Sequence, residues 1–352
     1  MNRRIARLQK TMAAEKLDGF LVTNLLNVRY LTGYTGSNGS VLVTRKGAWF
    51  YTDFRYKEQI KTEVKGCRKR VLARNLYAGL PPEDLKGVGR LGVEQDHMTL
   101  GQFRLLKKQM KRTRLIPAHD LVQQLRRTKE PIEVEMIARA QDFTDRTFRD
   151  ILPMLKPGTS ERDIALEIES RFRRRGEVAF DSIIASGPNG VKPHAGAGER
   201  KLRKGDAVTL DIGCRIDGYC SDMTRTVFIG RAPGDMRRVY EIVLEAQRLG
   251  LAGVRPGAKA ASADAAARDY ITKHGFGKQF GHSLGHGVGL AVHERPVLAG
   301  QSKDTLEPGD VVTVEPGIYI PGRGGVRIED MVLVTATGLR NFTRSPKELL
   351  EL

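Results

Sequence analysis

The chain has 352 residues, of which 40% are hydrophobic and 6% aromatic, with three cysteines and a formal net charge of +18. These values suit a globular chain of about two domains and exclude collagen-like, disordered and small disulfide-rich classes. No run approaches the roughly 18 consecutive apolar residues of a membrane-spanning helix. The opening MNRRIARLQKTMAAEKLDGF carries charges where a signal peptide is apolar, so a cytoplasmic chain with no membrane partner is expected. Cys67, Cys214 and Cys220 are odd in number and lack CxxC spacing, which predicts reduced thiols. The charge is uneven: residues 1–128 hold 26 Lys+Arg against 10 Asp+Glu, and residues 129–352 hold 33 against 31. The basic residues of the first third are scattered between apolar positions without interleaved aromatics. They read as a solvated surface, and no nucleic-acid partner is expected.

In chain order, Ile5, Leu8, Met12 and Leu17 fall near helical spacing, and Gly19–Val22 reads as a short buried strand. The runs 40–44 and 48–52, separated by Arg45-Lys46-Gly47, predict a hairpin. A strand at 91–93 and helical spacing over 102–111 complete an α/β unit. The charged, proline-containing stretch at 126–131 marks a boundary, placed after Thr128. Beyond it, helices are expected at 131–155, at 160–175 with Ser160 and Asp163 as a capping pair, at 234–251 and at 262–274. β-rich runs lie between them, so the second part is α+β.

Two of those runs carry acids in pairs. Residues 208–228 are centred on Asp217-Gly218, the strongest short hairpin signal. With that turn, Asp222 faces Gly213 and Asp211 is its diagonal neighbour on the same side of the ribbon. Residues 311–334 form a second ribbon, with Pro321–Gly325 as its loop. An odd-length loop sets Glu315 and Glu329 directly opposite or two positions off, again on one face. Between the ribbons, His282, His286 and His293 fall within twelve residues, among glycines that let backbone approach a site closely. Four carboxylates and an imidazole are an oxygen-dominated donor set that suits two divalent ions of the Mn²⁺ or Co²⁺ kind, with Zn²⁺ a further candidate.

These residues resemble the pita-bread fold metallopeptidases, in the aminopeptidase P and Xaa-Pro dipeptidase (prolidase) branch of the creatinase/aminopeptidase superfamily. The likeness spans nearly the whole chain. Asp211 in LDIG, Asp222 in SDMTRT, His286 in GHGVGL, Glu315 in VEPGIY and Glu329 in RIED stand where that family keeps its five dinuclear-metal ligands. NVRYLTGYTGS and FYTDFRY look like the amino-terminal domain of the same branch; Asp53 and Arg55 within it are read as structural. The resemblance implies an α/β creatinase/prolidase-type domain over 1–128 and an α+β pita-bread catalytic domain over 129–352. It also implies a homodimeric exopeptidase acting on proline-containing peptides.

His194 in KPHA, His282 in GHSLGH and His293 in VHERP match positions that the family uses around its substrate. The implied mechanism attacks the scissile carbonyl with a metal-bridging hydroxide. Glu315 takes the water's proton, His293 steadies the oxyanion, and His194 or His282 delivers a proton to the departing nitrogen. Arg327, two residues before Glu329, is read as orienting ligand carboxylates. The alternatives are a creatinase-type amidinohydrolase, whose members do not use the metal pair, and a non-catalytic binding protein on the same scaffold. An intact ligand set argues against both.

Overall fold

A computed structural model describes residues 2–73, 75–78 and 80–352. Its backbone divides into two compact units, Met1–Arg126 and Arg127–Leu352.

The first unit is built on a six-stranded mixed sheet in the order β4-β3-β2-β1-β5-β6. The strands are β1 (Gly19–Val22), β2 (Ser40–Thr44), β3 (Gly47–Thr52), β4 (Arg68–Val71), β5 (Arg90–Glu94) and β6 (Arg114–Ala118). β2 and β3 form the expected hairpin, and β1 runs parallel to β5. Helices α1 (Arg3–Ala14), α2 (Leu25–Thr32), α3 (Gln59–Glu63), α4 (Leu100–Gln109) and α5 (Leu121–Arg127) accompany the sheet. Leu21, Leu42, Trp49, Tyr51, Leu91, Val93 and Leu106 share one buried core, so sheet and α4 bury a common apolar face. The sequence reading missed α2, although Asn24 caps its start by accepting from the backbone of Leu26 and Asn27, and Gly33 ends it at φ 84°. Asp53 and Arg55 pair locally, at 2.9 and 2.8 Å, where Asp53 caps a single 3₁₀ turn.

The second unit has four helices: α6 (Pro131–Ile151), α7 (Glu161–Arg173), α8 (Gly234–Gly253) and α9 (Ala260–Lys273). Ser160 accepts from the backbone of Asp163 at the start of α7, as expected of a capping pair. The strands are β7 (Glu177–Val178), β8 (Ile183–Ser186), β9 (Ala207–Ile212), β10 (Cys214–Ile216), β11 (Tyr219–Cys220), β12 (Met223–Phe228), β13 (Gly285–Gly287), β14 (Glu294–Leu298), β15 (Val311–Val314), β16 (Gly317–Ile320), β17 (Gly324–Arg327), β18 (Asp330–Val334) and β19 (Leu339–Asn341). Two apolar clusters hold this unit together. Ile164, Ile168 and Phe172 of α7 join Phe148 of α6 against Val208, Leu210 and Val227. Val239, Val243 and Ala246 of α8 join Ala263, Ala267 and Ile271 of α9 against Val312, Val314 and Val332. Each helix pair therefore covers one set of strands, and the acids lie on strand segments that these cores fix in place.

Candidate metal centre

The first acidic ribbon has the register that its turn demands. Asp217 (φ 52°) and Gly218 (φ 87°) both take positive φ, which is the type I′ geometry of a two-residue hairpin. Thr224 then pairs with Asp211, and Arg215 with Cys220. The ladder breaks between β9 and β10 at Gly213, where a Cβ atom would lie 2.3 Å from the Ser221 carbonyl oxygen. Asp222 sits at that break. The second ribbon is split as well. β15 pairs with β18 up to Val314–Asp330, and β16 pairs with β17 from Gly317–Arg327, around a loop of Pro321, Gly322 and Arg323. Glu315 and Glu329 face each other in the gap. The Glu329 N–H donates to the Thr224 carbonyl (3.1 Å), which stitches the two ribbons together.

All five residues expected to hold metal come together. One ligand atom each from Asp222, His286 and Glu329 lies within 4.8 Å of the others. His286 Nε2 is 3.5 Å from Asp222 Oδ2 and 3.4 Å from Glu315 Oε1. Asp211 Oδ2 accepts from Arg327 Nη2 at 2.7 Å, while the buried Oδ1 has no hydrogen-bond partner among the described residues. A second group, Asp96, His119 and Asp120, belongs to the first unit and differs in kind. There each ring nitrogen of His119 already rests on a carboxylate, at 2.6 and 2.9 Å.

The buried group is electrostatically incomplete. Burial, followed by the charges of Glu329, Asp211 and Glu315, pushes the Asp222 carboxyl well above its ordinary range. Burial and the neighbouring acids do the same to Glu329, and burial pushes Glu315 up to about 8. His286 Nδ1 faces the Gly287 carbonyl (3.1 Å), which can only accept, so Nδ1 carries the hydrogen and Nε2 turns its lone pair to the carboxylates. Burial lowers the His286 pKa to about 4, so at neutral pH the ring is neutral and Nε2 carries no hydrogen. A lone pair facing carboxylates, beside an orphaned carboxylate oxygen, calls for cations, and the donor set fits divalent ions.

Hydroxyl groups that the sequence reading passed over orient the acids. Thr224 Oγ1 donates to Glu329 Oε2 (2.8 Å) and accepts from Arg327 Nε (3.1 Å). Thr313 Oγ1 accepts from the His286 N–H (3.0 Å) and lies 3.4 Å from Glu315 Oε1. Both threonines stand two residues from an acid, hence on the same strand face, and that spacing was the available signal. Arg327 is fully enclosed. Burial opposes its charge, but Tyr319, Asp211 and Glu315 outweigh that and hold its pKa above the ordinary value. It therefore orients Asp211 directly and Glu329 through Thr224.

The remaining histidines separate by surroundings. His293 is exposed, with its ring edge against His286 at a centroid distance of 4.2 Å. His194 lies in an exposed turn. His282 departs from expectation as a proton donor, because both of its nitrogens are engaged. Nδ1 faces the Ser283 carbonyl (2.8 Å) and Nε2 faces the Tyr319 hydroxyl (2.9 Å). Burial lowers its pKa to about 4, so the neutral ring accepts from Tyr319, which in turn accepts from Arg327 Nη1 (2.8 Å). His282 is the far end of the network that holds Asp211.

A sheet-and-helix scaffold that gathers four carboxylates and an imidazole in this way is that of a pita-bread metal-dependent hydrolase. Residues 135–336 match the model of metallopeptidase family M24, and residues 4–128 match the creatinase/prolidase N-terminal domain. The chain belongs to metallopeptidase family M24 and carries that N-terminal domain. It is 43% identical to the uncharacterized peptidase YqhT of Bacillus subtilis, over 99% of this chain and 100% of that one. Among solved structures, the Xaa-Pro dipeptidase from Bacillus anthracis superposes with a TM-score of 0.96 at 42% identity, covering 99% of each chain. The X-Pro aminopeptidase from Thermotoga maritima superposes with a TM-score of 0.89 at 32% identity, covering 97% of this chain and 100% of that one. Among the described residues, no helix is long and apolar enough to cross a membrane.

Proposed function

We propose that this chain is an exopeptidase that hydrolyses Xaa-Pro peptide bonds, using two divalent ions held by Asp211, Asp222, His286, Glu315 and Glu329. The observation that carries this reading is the charge deficit among those groups. Four carboxylates and an imidazole lone pair converge, and among the described residues Arg327 is the one arginine or lysine bonded to any of the four carboxylate groups. Mn²⁺ or Co²⁺ suits the oxygen-rich donor set best, with Zn²⁺ next. Such ions supply Lewis acidity and a water that ionises near neutral pH.

The chain's own groups then divide the remaining work. Glu315, ionised when the cations are bound, takes the proton of the attacking water. His293, exposed beside His286, steadies the carbonyl oxygen as charge develops on it. His194, exposed and free of the engagements that occupy His282, gives a proton to the departing imino nitrogen. Arg327, with Tyr319 and His282 behind it, keeps Asp211 in one orientation. Proline suits such a site because its nitrogen brings no N–H that needs a partner.

Residues 1–128 and 129–352 act as the amino-terminal and catalytic domains of a cytoplasmic homodimer in this reading. The test is to strip the protein with a chelator, reconstitute it with Mn²⁺, Co²⁺ or Zn²⁺, and follow hydrolysis of Ala-Pro and Ala-Pro-Pro. Metal-dependent return of cleavage is expected, and the better of the two substrates separates dipeptidase from aminopeptidase. Full activity in the stripped protein, or none with any ion, overturns the reading.

A further inference from the structure

Lys129 lies just before α6 and has none of the roles assigned above. Its side chain is 1% exposed, and Nζ stands 3.2 Å from Glu294 Oε2, itself on a side chain 7% exposed. Nζ also donates to the Arg127 carbonyl at 3.0 Å. Removing both charges of such a pair from water is costly, and well-packed apolar residues often serve stability as well or better. A buried pair therefore invites a reason in geometry.

That reason lies in what Glu294 holds. Glu294 is the residue next to His293. Its Oε1 accepts from the Ala291 N–H (2.9 Å), and the Gly289 N–H donates to the Ala291 carbonyl (2.9 Å). A Cβ at Gly289 would lie 2.6 Å from Glu294 Oε2, so the carboxylate is seated directly under the turn. The Gly289 carbonyl in turn accepts from the Cys220 N–H (2.8 Å), two residues before Asp222. On the other side, β13 and β14 pair His286 with Val297 and Gly287 with Glu294, with a bulge between them. The turn that carries His293 is thus tied to the strand of His286, to the ribbon of Asp222 and, through one buried carboxylate, to the ammonium of Lys129.

We propose that Lys129 is a positioning residue for hydrolysis: through Glu294 it fixes the turn Gly289–His293 and keeps His293 edge-on to His286. This rests on the reading of His293 given above. Without the ammonium, the Glu294 carboxylate loses the contact at 3.2 Å that helps seat it under the turn, and the turn shifts with it. A displacement of about 1 Å in a group acting on the substrate costs on the order of 10²-fold in rate.

The test uses the metal-loaded full chain in four forms: His293→Ala, Lys129→Met, Glu294→Gln, and the Lys129→Met/His293→Ala double variant. kcat, KM and metal content are measured for each. Lys129→Met and Glu294→Gln are each expected to lower kcat by about 10²-fold, with KM little changed and metal content intact. In the His293→Ala background, Lys129→Met is expected to cost nothing further, because residues that act through one group are not additive. A merely structural lysine slows both backgrounds alike, and that result overturns the proposal. Full activity of Lys129→Met beside a crippled His293→Ala overturns it too, while leaving the reading of His293 intact. Full activity of His293→Ala overturns both. If Lys129→Met does not fold, Glu294→Gln, which keeps the size and the acceptor for Ala291 while dropping the charge, takes its place in the same cycle.

Discussion

The two acidic ribbons of the second unit share one register rule and hold their carboxylates differently. In the first, Asp211 stays within the ladder opposite Thr224 and has a guanidinium at 2.7 Å, whereas Asp222 stands at the break by Gly213 and, among the described residues, has a neutral imidazole nitrogen at 3.5 Å and no guanidinium or ammonium bonded to it. In the second, Glu315 and Glu329 both stand in the break between two short ladders, and their neighbours are threonine hydroxyls. Regular pairing brings the acids to one place, and where it is interrupted the backbone bonds to other segments: the Glu315 N–H donates to the Leu284 carbonyl (2.8 Å) and the Glu329 N–H to the Thr224 carbonyl (3.1 Å). One acid is balanced by a fixed cation, and the other three have hydroxyl or imidazole neighbours that orient without neutralising. That difference separates a metal centre from a salt-bridge network, which has a cation for each acid.

The comparison breaks most visibly if an unbalanced acid proves dispensable. Asp222→Ala and Glu329→Ala remove carboxylates that no neighbouring side chain replaces among the described residues. Each is expected to cost several kcal/mol of transition-state stabilisation, on the order of 10³-fold or more in kcat/KM. Steady-state hydrolysis of an Ala-Pro substrate at saturating metal checks this, and activity within tenfold of the parent contradicts it.

A smaller effect distinguishes the orienting hydroxyls. Thr224→Val keeps the volume but removes both the donor to Glu329 and the acceptor for Arg327, and it sits where the ribbons are stitched. It is expected to lower metal affinity or kcat by about 10- to 100-fold, the usual cost of losing a partner behind a ligand. Thr313→Val loses one good hydrogen bond, from the His286 N–H, and a longer contact to Glu315, so a smaller loss is expected. Metal titration of the two variants side by side gives the ranking.

Much of this centre was legible because hairpin register is arithmetic: once Asp217-Gly218 is taken as the turn, the partners of Asp211 and Asp222 follow. The second ribbon needed only the parity of its loop. What escaped was whatever depends on three dimensions at once. Thr224, Thr313 and Tyr319 read in one dimension as ordinary β-formers. Lys129 read as part of a charged linker, since nothing local shows that its partner lies beside His293. His282 looked like a proton carrier until Tyr319 and the Ser283 carbonyl were seen to occupy both nitrogens. The missed helix α2 has a similar cause: Val28, Tyr30 and Thr32 favour strands, and the capping Asn24 and terminal Gly33 were the better signal.

Acidity sharpens the contrast between balanced and unbalanced acids. A carboxyl whose pKa is raised by folding stabilises the metal-free fold below its unfolded value, about 4, and loses that contribution as pH climbs through the folded value. For Glu315 the window runs from there to about 8, and Asp222 and Glu329 shift in the same direction. The metal-free protein is therefore expected to lose thermal stability as pH rises across this range, while bound metal offsets the loss. The gap in Tm between loaded and stripped protein widens with pH. In stripped Asp222→Ala, with one repelling acid gone, the decline is shallower. Parallel Tm curves for loaded and stripped protein contradict this account.

The smallest expected effect is at the tip of the first ribbon, and it asks whether charge matters there as it does at the breaks. Asp217 lies in the type I′ turn and pairs with Arg139 at 3.2 Å, with side chains 51% and 65% exposed. Water and salt screen such a pair, and holding two mobile side chains together cancels much of the attraction, so it is worth less than about 1 kcal/mol. Arg139→Ala leaves the φ values of Asp217 and Gly218 to the turn itself, and with them the register that sets Thr224 against Asp211. It is expected to leave kcat/KM unchanged and to lower stability only slightly, measured by urea unfolding beside activity. A marked loss of activity means that the tip, and not the turn geometry alone, holds the register of the acids.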